Sequence, residues 1–307
     1  MAHLRGLMGS ALTSSSRKSY QRAWRVFQIF HQRFYKSSDF RLPLTSPQIA
    51  LFISYLSASK LAPSTITSYL SAISYVHKIK GLQDPTKSFL ILKLLTALGR
   101  QRSTDVRLPI TRPVLHELVG SLRYTNSSAF QRSLYSTMFL VAFYGFSRIG
   151  ELATKSVDCA ASVVQFREVK FLIGDGKANM VKIVITQFKH NPSRQPFEIL
   201  IERDETSPFC PVKALVDYCR LRGSQPGPLF CHQNIAPVTV NQFNSELSRC
   251  LKFCSLDPSR YKGHSFRIGA ASHAADKGFS DAQIRTLGRW KSDAFKLYIR
   301  SECLSAT

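Results

Sequence analysis

The sequence predicts a mainly α-helical protein with one small antiparallel β-sheet, divided into two domains. Three observations support this fold class. Apolar residues recur at helical spacing through most of the 307 residues. The pattern changes to β-rich runs only between residues 163 and 201. A polar segment, residues 101–109, separates a strongly basic first part from the remainder. We therefore expect domains at residues 1–104 and 105–307, with the sheet in the second.

Four helices are predicted in the first domain. The first follows a serine-rich cap, the second begins at Ser46-Pro47, the third follows Pro63 and ends at Gly81, and the fourth begins at Asp84-Pro85. Apolar residues at helical spacing mark the first helix at Tyr20, Trp24, Phe27 and Phe34. The inner face of the second helix is predicted at Ile49, Phe52, Ile53 and Leu56. That of the third is predicted at Ile66, Leu70, Ile73 and Val76, and that of the fourth at Phe89, Leu92 and Leu95.

The second domain is predicted to place its sheet between two groups of helices. Helices are expected at about 112–123 and 129–146. The β-rich runs 163–173, 180–188 and 196–201 follow, separated by Gly174-Asp175-Gly176 and by residues 190–194. Further helices are expected at about 211–222, 239–254, 265–277, 280–287 and 292–300.

The charge of the chain indicates a polyanionic partner. The sequence has 42 Lys and Arg against 19 Asp and Glu, a formal net charge of +23. Residues 1–104 hold 15 of the basic residues and only two acids, Asp39 and Asp84, for a net +13; the rest carries +10. A generically basic, solvated surface is the alternative. The near absence of acids favours a domain that holds DNA or RNA by its phosphates.

Other partners and compartments are disfavoured. The N-terminal segment lacks the apolar core of a signal peptide, and the longest strongly apolar run, residues 137–146, is too short to span a bilayer. The seven cysteines are odd in number and form no CxxC pair, which predicts reduced thiols in an intracellular protein. Cys231-His232 with Cys250 and Cys254 matches no standard zinc spacing. No metal and no cofactor are therefore predicted, and no membrane association.

Two motifs in the second domain place arginines beside possible partners. Arg148 and Glu151 lie three residues apart, just after the apolar helix 129–146. A structural ion pair is the ordinary interpretation of such a pair. His264 and Arg267 have the same spacing, so both side chains can point at one phosphate from a single helical turn. The ordinary interpretation there is a helix cap with a salt bridge.

Two more signals follow the same order along the chain. Lys189 stands where the second β-rich run gives way to a turn, with Lys177 and Lys182 as alternatives on the same hairpin. Trp290 follows Leu287-Gly288-Arg289, and Tyr298 comes eight residues after it. Taken alone, such a lysine is a solvated charge and such a tyrosine a packing residue.

Together, in this order, these motifs resemble those of the tyrosine recombinases (the phage integrase family) of the Cre and lambda-integrase type. The stretch GHSFRIGAASHAADKGFSDAQIRTLGRWKSDAFKLYIR is similar to the C-terminal signature of that family. The basic four-helix domain resembles its core-binding domain, so the resemblance covers nearly the whole chain. The C-terminal block is most similar to the recombinases of DIRS- and Ngaro-type retrotransposons. The resemblance implies a two-domain DNA-breaking-rejoining fold, with a helical core-binding domain and an integrase-like catalytic domain.

The resemblance also implies a role for each motif residue. Arg148 and Arg267 would clamp the scissile phosphate, and His264 and Trp290 would complete that cradle. Lys189 would be the general acid on the leaving 5′ oxygen, and Tyr298 would be the nucleophile that forms a 3′-phosphotyrosyl link. Glu151 would orient the cradle from behind.

The chemistry is consistent with these residue types. Fixed cationic donors stabilise the charge that develops on a phosphodiester under attack, without a metal, and the arginine fork matches phosphate in a bidentate manner. The expected function is a site-specific recombinase or integrase of a mobile element. It would bind double-stranded DNA as a homotetramer on two duplexes, in the nucleus if the element is eukaryotic. Two alternatives stay open: a domesticated DNA-binding protein without strand exchange, and a type IB topoisomerase-like relaxing enzyme.

Overall fold

The computed structural model of the protein describes residues 11–37, 39–100, 107–188, 191, 193 and 195–299. The chain forms two compact units, Met1–Asp105 and Val106–Thr307. The helices of the first unit are α1 (Ser14–Tyr35), α2 (Ser46–Ala58), α3 (Pro63–Ile79) and α4 (Phe89–Arg100), with a 3-10 turn at Pro85–Lys87.

The first unit is a helical bundle whose helix ends follow from local sequence. Thr13 caps α1 by accepting a hydrogen bond from the Ser16 amide, and Thr45 and Gln48 form a reciprocal capping box at α2. A continuous core fills the bundle, dominated by aromatic and branched side chains. Its fully buried members include Phe27, Phe30, Phe52, Ile49, Ile66 and Ile73.

The predicted inner face of the fourth helix is wrong. Phe89 is 75% exposed and Leu92 47% exposed, whereas Ile91 and Leu98 are buried and Leu95 is half-buried. The physical reason lies in the start of the helix. Asp84 caps a separate 3-10 turn, so the α-helix begins only at Phe89 and its phase is set by a different first turn.

The second unit places its sheet between two groups of helices, which confirms the predicted fold class. The first group is α5 (Arg112–Thr125), α6 (Ala129–Tyr144) and the single turn α7 (Ile149–Leu152). The strands are β1 (Val169–Gly174), β2 (Lys177–Ile185) and β3 (Phe197–Glu202). The second group is α8 (Pro211–Arg222), α9 (Val240–Phe253), α10 (Gly263–Asp276) and α11 (Asp281–Gly288). Short 3-10 turns occupy Val157–Ser162, Phe166–Glu168 and Asp293–Tyr298.

The three strands form an antiparallel sheet in the order β1-β2-β3. Asp175 and Gly176, both at positive φ, make the two-residue turn between β1 and β2. Val181, Ile183 and Ile185 of β2 are buried on one face of the sheet, as the period of two requires. The run predicted from residue 163 becomes strand only at Val169, because residues 163–168 form a loop and a 3-10 turn.

Helix α6 is the centre of this unit. Nine of its residues are buried, and helices α5, α8 and α10 all pack against it. A helix that is apolar on every side must be surrounded. Residues Gly145 to Arg148 leave its C-terminal end and carry the chain into α7, so the first arginine motif directly follows the most buried helix of the unit.

Two features of the described residues concern membranes and metals. In the described part of the chain, no helix is long and apolar enough to cross a membrane. The same residues include no group of His, Cys, Asp or Glu side chains placed to hold a metal ion. Cys231 and Cys250, whose spacing matches no standard zinc site, are free thiols buried in the core.

Candidate active site

Five of the predicted site residues line one open cleft of about 700 Å³ in the second unit. They are Arg148, His264, Arg267, Trp290 and Tyr298. They come from the start of α7, from α10, and from the segment after α11, so segments up to 150 positions apart in sequence converge there.

Arg148 enters the cleft from the N-terminal end of α7. Its backbone amide donates to Glu151 Oε2 at 2.9 Å, and its guanidinium Nη1 donates to Glu151 Oε1 at 3.1 Å. The Glu151 side chain is 4% exposed, and that of Arg148 is 22% exposed. Glu151 therefore lies behind Arg148 and fixes both its backbone and its side chain, leaving the arginine at the cleft surface.

His264 and Arg267 project from the first turns of α10, with the i, i+3 spacing that places them on one face. Gly263 allows this helix to start close to α7. A Cβ atom on Gly263 would overlap the side chain of Ile149, the residue that follows Arg148. The two arginine motifs are thus adjacent because a glycine permits their backbones to approach.

Arg267 is the most deeply buried cation of the cleft, at 1% exposure. Its Nη1 donates to the carbonyl of Phe146, and its Nη2 donates to the carbonyl of Gly288. Burial, followed by the charges of Arg148 and Arg289, lowers the pKa of Arg267 from 12.5 to about 9. Two carbonyl dipoles hold the guanidinium in place, while the nearby positive charges make an incoming anion favourable.

Trp290 covers one face of Arg267. The Arg267 Cζ atom lies 4.1 Å from the centroid of the Trp290 ring, a cation–π contact. Gly288 makes room for this indole, because a Cβ atom at residue 288 would overlap its six-membered ring. The sequence Gly288-Arg289-Trp290 therefore builds one wall of the cleft.

Tyr298 is half-buried at the end of a 3-10 turn, Asp293–Tyr298, where an α-helix over 292–300 was predicted. Its ring packs edge-on against His264 at a centroid distance of 4.8 Å and lies 5.2 Å from the Trp290 ring. The Ser272 hydroxyl donates to the Tyr298 carbonyl at 3.2 Å. Because Ser272 belongs to α10, the same helix that carries His264 and Arg267 also anchors the tyrosine segment.

Arg289 is a site residue that the sequence motifs did not identify. Its Nη2 donates to Glu151 Oε2 at 2.7 Å and to the Phe146 carbonyl at 3.1 Å. The residue is 7% exposed. Burial, and then the charge of Arg148, lower its pKa, whereas Glu151 raises it. Its neighbours Gly288 and Trp290 were the only sequence signal for its position.

Comparisons with solved structures identify the fold. The protein superposes on a lambda integrase dimer bound to a COC′ core site, with a TM-score of 0.62 and 15% identity. The match covers 98% of this chain and 76% of the lambda integrase chain. The Tn1549 transposon integrase in complex with transposon right end DNA matches 93% of this chain and 89% of its own, with a TM-score of 0.64 and 13% identity. XerH recombinase bound to palindromic difH substrate matches 90% of this chain and 75% of its own, with a TM-score of 0.62 and 16% identity. The chain has the tyrosine recombinase fold. No protein-family profile matches the sequence, and no curated protein matches it.

Within the tyrosine recombinase fold of this chain, one predicted residue cannot be placed. Lys189 lies outside the described residues. The two alternatives on the hairpin are both engaged at the surface: Lys182 Nζ lies 2.9 Å from Glu198 Oε1, and Lys177 pairs with Glu205. Neither Lys177 nor Lys182 lines the cleft.

The arrangement suits chemistry on a phosphate. Arg148 and Arg267 present two guanidinium groups to one cleft, and His264 adds a donor or acceptor beside the Tyr298 ring. Donors fixed by backbone carbonyls and by Glu151 need little reorganisation when charge develops on a bound group. The cleft therefore offers an anion site with a phenol at its edge.

Proposed function

We propose that the protein is a site-specific DNA recombinase or integrase that cleaves and rejoins strands through a covalent 3′-phosphotyrosyl intermediate on Tyr298. One observation carries the proposal: Tyr298 lines the same cleft as Arg148 and Arg267, although the tyrosine lies 150 residues from the first arginine in sequence. The neighbours of known structure include integrases bound to a core site or a transposon end. The transposon-end DNA bound by the Tn1549 integrase supports DNA as the substrate.

The proposed first step is an in-line displacement at phosphorus. The Tyr298 phenolate forms a bond to phosphorus, and the bond from phosphorus to the 5′ oxygen breaks. Arg148 and Arg267 hold the non-bridging oxygens and stabilise the charge that develops on them. His264 and Trp290 complete the cradle, the first beside Tyr298 and the second over Arg267.

Protonation of the leaving 5′ oxygen and rejoining of the strand complete the proposed reaction. Lys189 is proposed to give its proton to the departing 5′ oxygen, a contribution of roughly 10²–10⁴-fold for a positioned acid. In the second step a 5′ hydroxyl attacks the phosphotyrosine, which restores the phosphodiester and frees Tyr298. One phosphate ester replaces another at each step, so no nucleotide hydrolysis is required.

The excess of positive charge in the first unit is proposed to provide most of the DNA binding. With 15 basic and two acidic residues in its first 104 positions, the first unit is proposed as the core-binding domain that grips the duplex by its phosphates. Strand exchange between two duplexes requires a homotetramer in this proposal. The element served is proposed to be mobile, and the protein would act in the nucleus if its host is eukaryotic.

Covalent trapping tests the proposal. A bound sequence is first selected from random duplexes and then prepared with a nick that lets the cleaved 5′ end diffuse away. The wild-type protein should form an adduct that survives SDS, and Tyr298→Phe should bind the DNA without forming one. Tyr124→Phe is the matched control, since Tyr124 is an exposed tyrosine of the same unit.

The outcome also separates the two alternatives. Tight binding with no adduct on any selected sequence would indicate a DNA-binding protein that has lost strand cleavage. An adduct accompanied by relaxation of supercoiled plasmid that lacks the selected site would indicate a topoisomerase-like enzyme. An adduct confined to the selected site, with strand exchange between two duplexes, supports the recombinase.

A further inference from the structure

Arg289 lines the cleft with Arg148 and Arg267 and, like Arg267, is buried. Its side chain is 2% exposed, against 22% for Arg148. Its guanidinium differs from a free phosphate ligand because its charge is already paired with the buried carboxylate of Glu151. It must act on groups inside the protein, because an isolated buried charge is costly.

Two of its contacts reach the supports of both phosphate-binding arginines. Glu151 Oε2 accepts from Arg289 Nη2 at 2.7 Å, while Glu151 also holds Arg148. The Phe146 carbonyl accepts from Arg289 Nη2 at 3.1 Å and from Arg267 Nη1. One nitrogen of Arg289 thus touches the anchor of Arg148 and the anchor of Arg267.

The charge balance shows why this contact affects Arg148. Glu151 is buried, and Arg148 and Arg289 are both within ion-pair distance of it. Without Arg289, the whole attraction of the buried carboxylate would fall on Arg148 and draw its guanidinium away from the cleft. With Arg289 present, the negative charge is shared, and Arg148 keeps an exposed position.

Two aromatic rings lie beside the Arg289 guanidinium. Its Nε and Nη1 are buried and have no hydrogen-bond partner among the described residues. Its Cζ atom lies 5.3 Å from the ring centroid of Phe197 and 5.8 Å from that of Phe188. These rings flank the connection between β2 and β3, and their negative faces compensate part of the buried charge.

We propose that Arg289 is a positioning residue of the active site: it fixes Glu151 and the Phe146 carbonyl, and through them orients Arg148 and Arg267 together. This inference rests on the proposed strand-cleavage function. It predicts that Arg289 affects the rate of cleavage and has little effect on DNA affinity, because its Nη2 is engaged by Glu151 and the Phe146 carbonyl and its charge is balanced by Glu151.

The test measures single-turnover cleavage of the selected nicked duplex at saturating protein, together with the Kd for uncleaved DNA. Arg289→Met should cleave about 10²-fold more slowly, the scale expected when catalytic groups lose their geometry, with a Kd within about threefold of wild type. Arg289→Lys, which keeps the charge without the planar fork, should recover about tenfold of that loss.

Arg222→Met is the matched control for losing a buried arginine. Arg222 is 6% exposed, donates to backbone carbonyls of its own loop and stacks on Phe166, outside the cleft. This variant should lose thermal stability and still cleave within about threefold of wild type below its unfolding range.

Each outcome decides something. Arg289→Met cleaving within threefold of a wild-type protein that forms the adduct would overturn the positioning role and leave the proposed function intact. An equal loss in Arg222→Met would also overturn it. If Arg289→Met does not fold, Arg289→Lys is combined with Glu151→Gln: a role through Glu151 predicts that the double variant cleaves no more slowly than Glu151→Gln alone, and additive losses overturn it. A wild-type protein that forms no adduct on any DNA would refute the proposed function itself.

Discussion

The guanidinium of Arg267 lies over the indole of Trp290, with 4.1 Å from Cζ to the ring centroid. The indole excludes water from one face of the cation, while the Phe146 and Gly288 carbonyls hold its Nη1 and Nη2. Arg267 is therefore fixed in orientation before any phosphate arrives, and Trp290 is part of what fixes it.

Replacing Trp290 tests this contact. Trp290→Ala should slow strand cleavage about tenfold, because a partly desolvated cation–π contact contributes about 0.5–2 kcal/mol. Trp290→Phe keeps a ring and should retain most of the rate. Single-turnover cleavage of the selected duplex gives the rates. Trp24→Phe, which changes the other tryptophan in the separate first unit, serves as the control. Equal cleavage rates for Trp290→Ala and Trp24→Phe would contradict the account.

Gly288→Ala tests the wall from the backbone side. The new methyl group would occupy the space of the Trp290 ring, so the indole must move off Arg267. We expect slower cleavage and a shift in tryptophan emission, measured in a Trp24→Phe background that leaves Trp290 as the only indole. Gly120→Ala is the control, since a Cβ there meets nothing within 4 Å and should stabilise α5 by about 0.5–1 kcal/mol. Unchanged emission in Gly288→Ala would show that the wall does not depend on this glycine.

The lowered pKa of Arg267 predicts a particular dependence of stability on pH. Burial and the charges of Arg148 and Arg289 lower it to about 9, against the opposing influence of Glu151 and Tyr298. The folded protein then binds this proton more weakly than the unfolded chain, so the contribution of Arg267 to stability rises as pH increases through about 9.

Urea unfolding of wild type and Arg267→Met from about pH 8 to about pH 10 measures this effect. Their difference in the free energy of unfolding should move in favour of wild type by up to about 1.4 kcal/mol per pH unit above pH 9. Contributions from other titrating groups largely cancel in the difference. Parallel curves would show that Arg267 stays fully protonated in the folded protein.

The general acid is predicted to be Lys189, and the hairpin lysines can be compared directly. Lys189→Ala should slow cleavage by roughly 10²–10⁴-fold, and a substrate with sulfur in place of the 5′ bridging oxygen should restore the rate, because a thiolate leaves without protonation. Lys177→Ala and Lys182→Ala remove only surface ion pairs and should have little effect. Rescue by sulfur in Lys182→Ala instead would reassign the acid.

Much of the site was predictable because its residues occur in short local motifs. The i, i+3 spacing of His264 and Arg267 fixes their common face wherever the helix packs, and the helix pattern located most elements of both units. The three-strand sheet followed from the change of period and the Gly174-Asp175-Gly176 turn, where the backbone needs positive φ.

The parts that were missed depend on contacts distant in sequence. Arg289 meets Glu151 across 138 positions, and its left-handed backbone at the end of α11 turns the side chain inward, which no local pattern records. The exposed face of α4 was mispredicted because a 3-10 turn reset the helix phase. The tyrosine segment forms a 3-10 turn, anchored by Phe295 in the core and by Ser272 of α10, where local periodicity predicted an α-helix.

The central claim is that Tyr298 attacks DNA, and mapping the covalent attachment tests it most directly. The adduct formed on the nicked duplex is digested with nuclease and protease, and the peptide that carries the nucleotide is sequenced by mass spectrometry. The account predicts a single modified peptide, with the phosphate on Tyr298. A nucleotide attached to any other residue, or an adduct that persists in Tyr298→Phe, would contradict it.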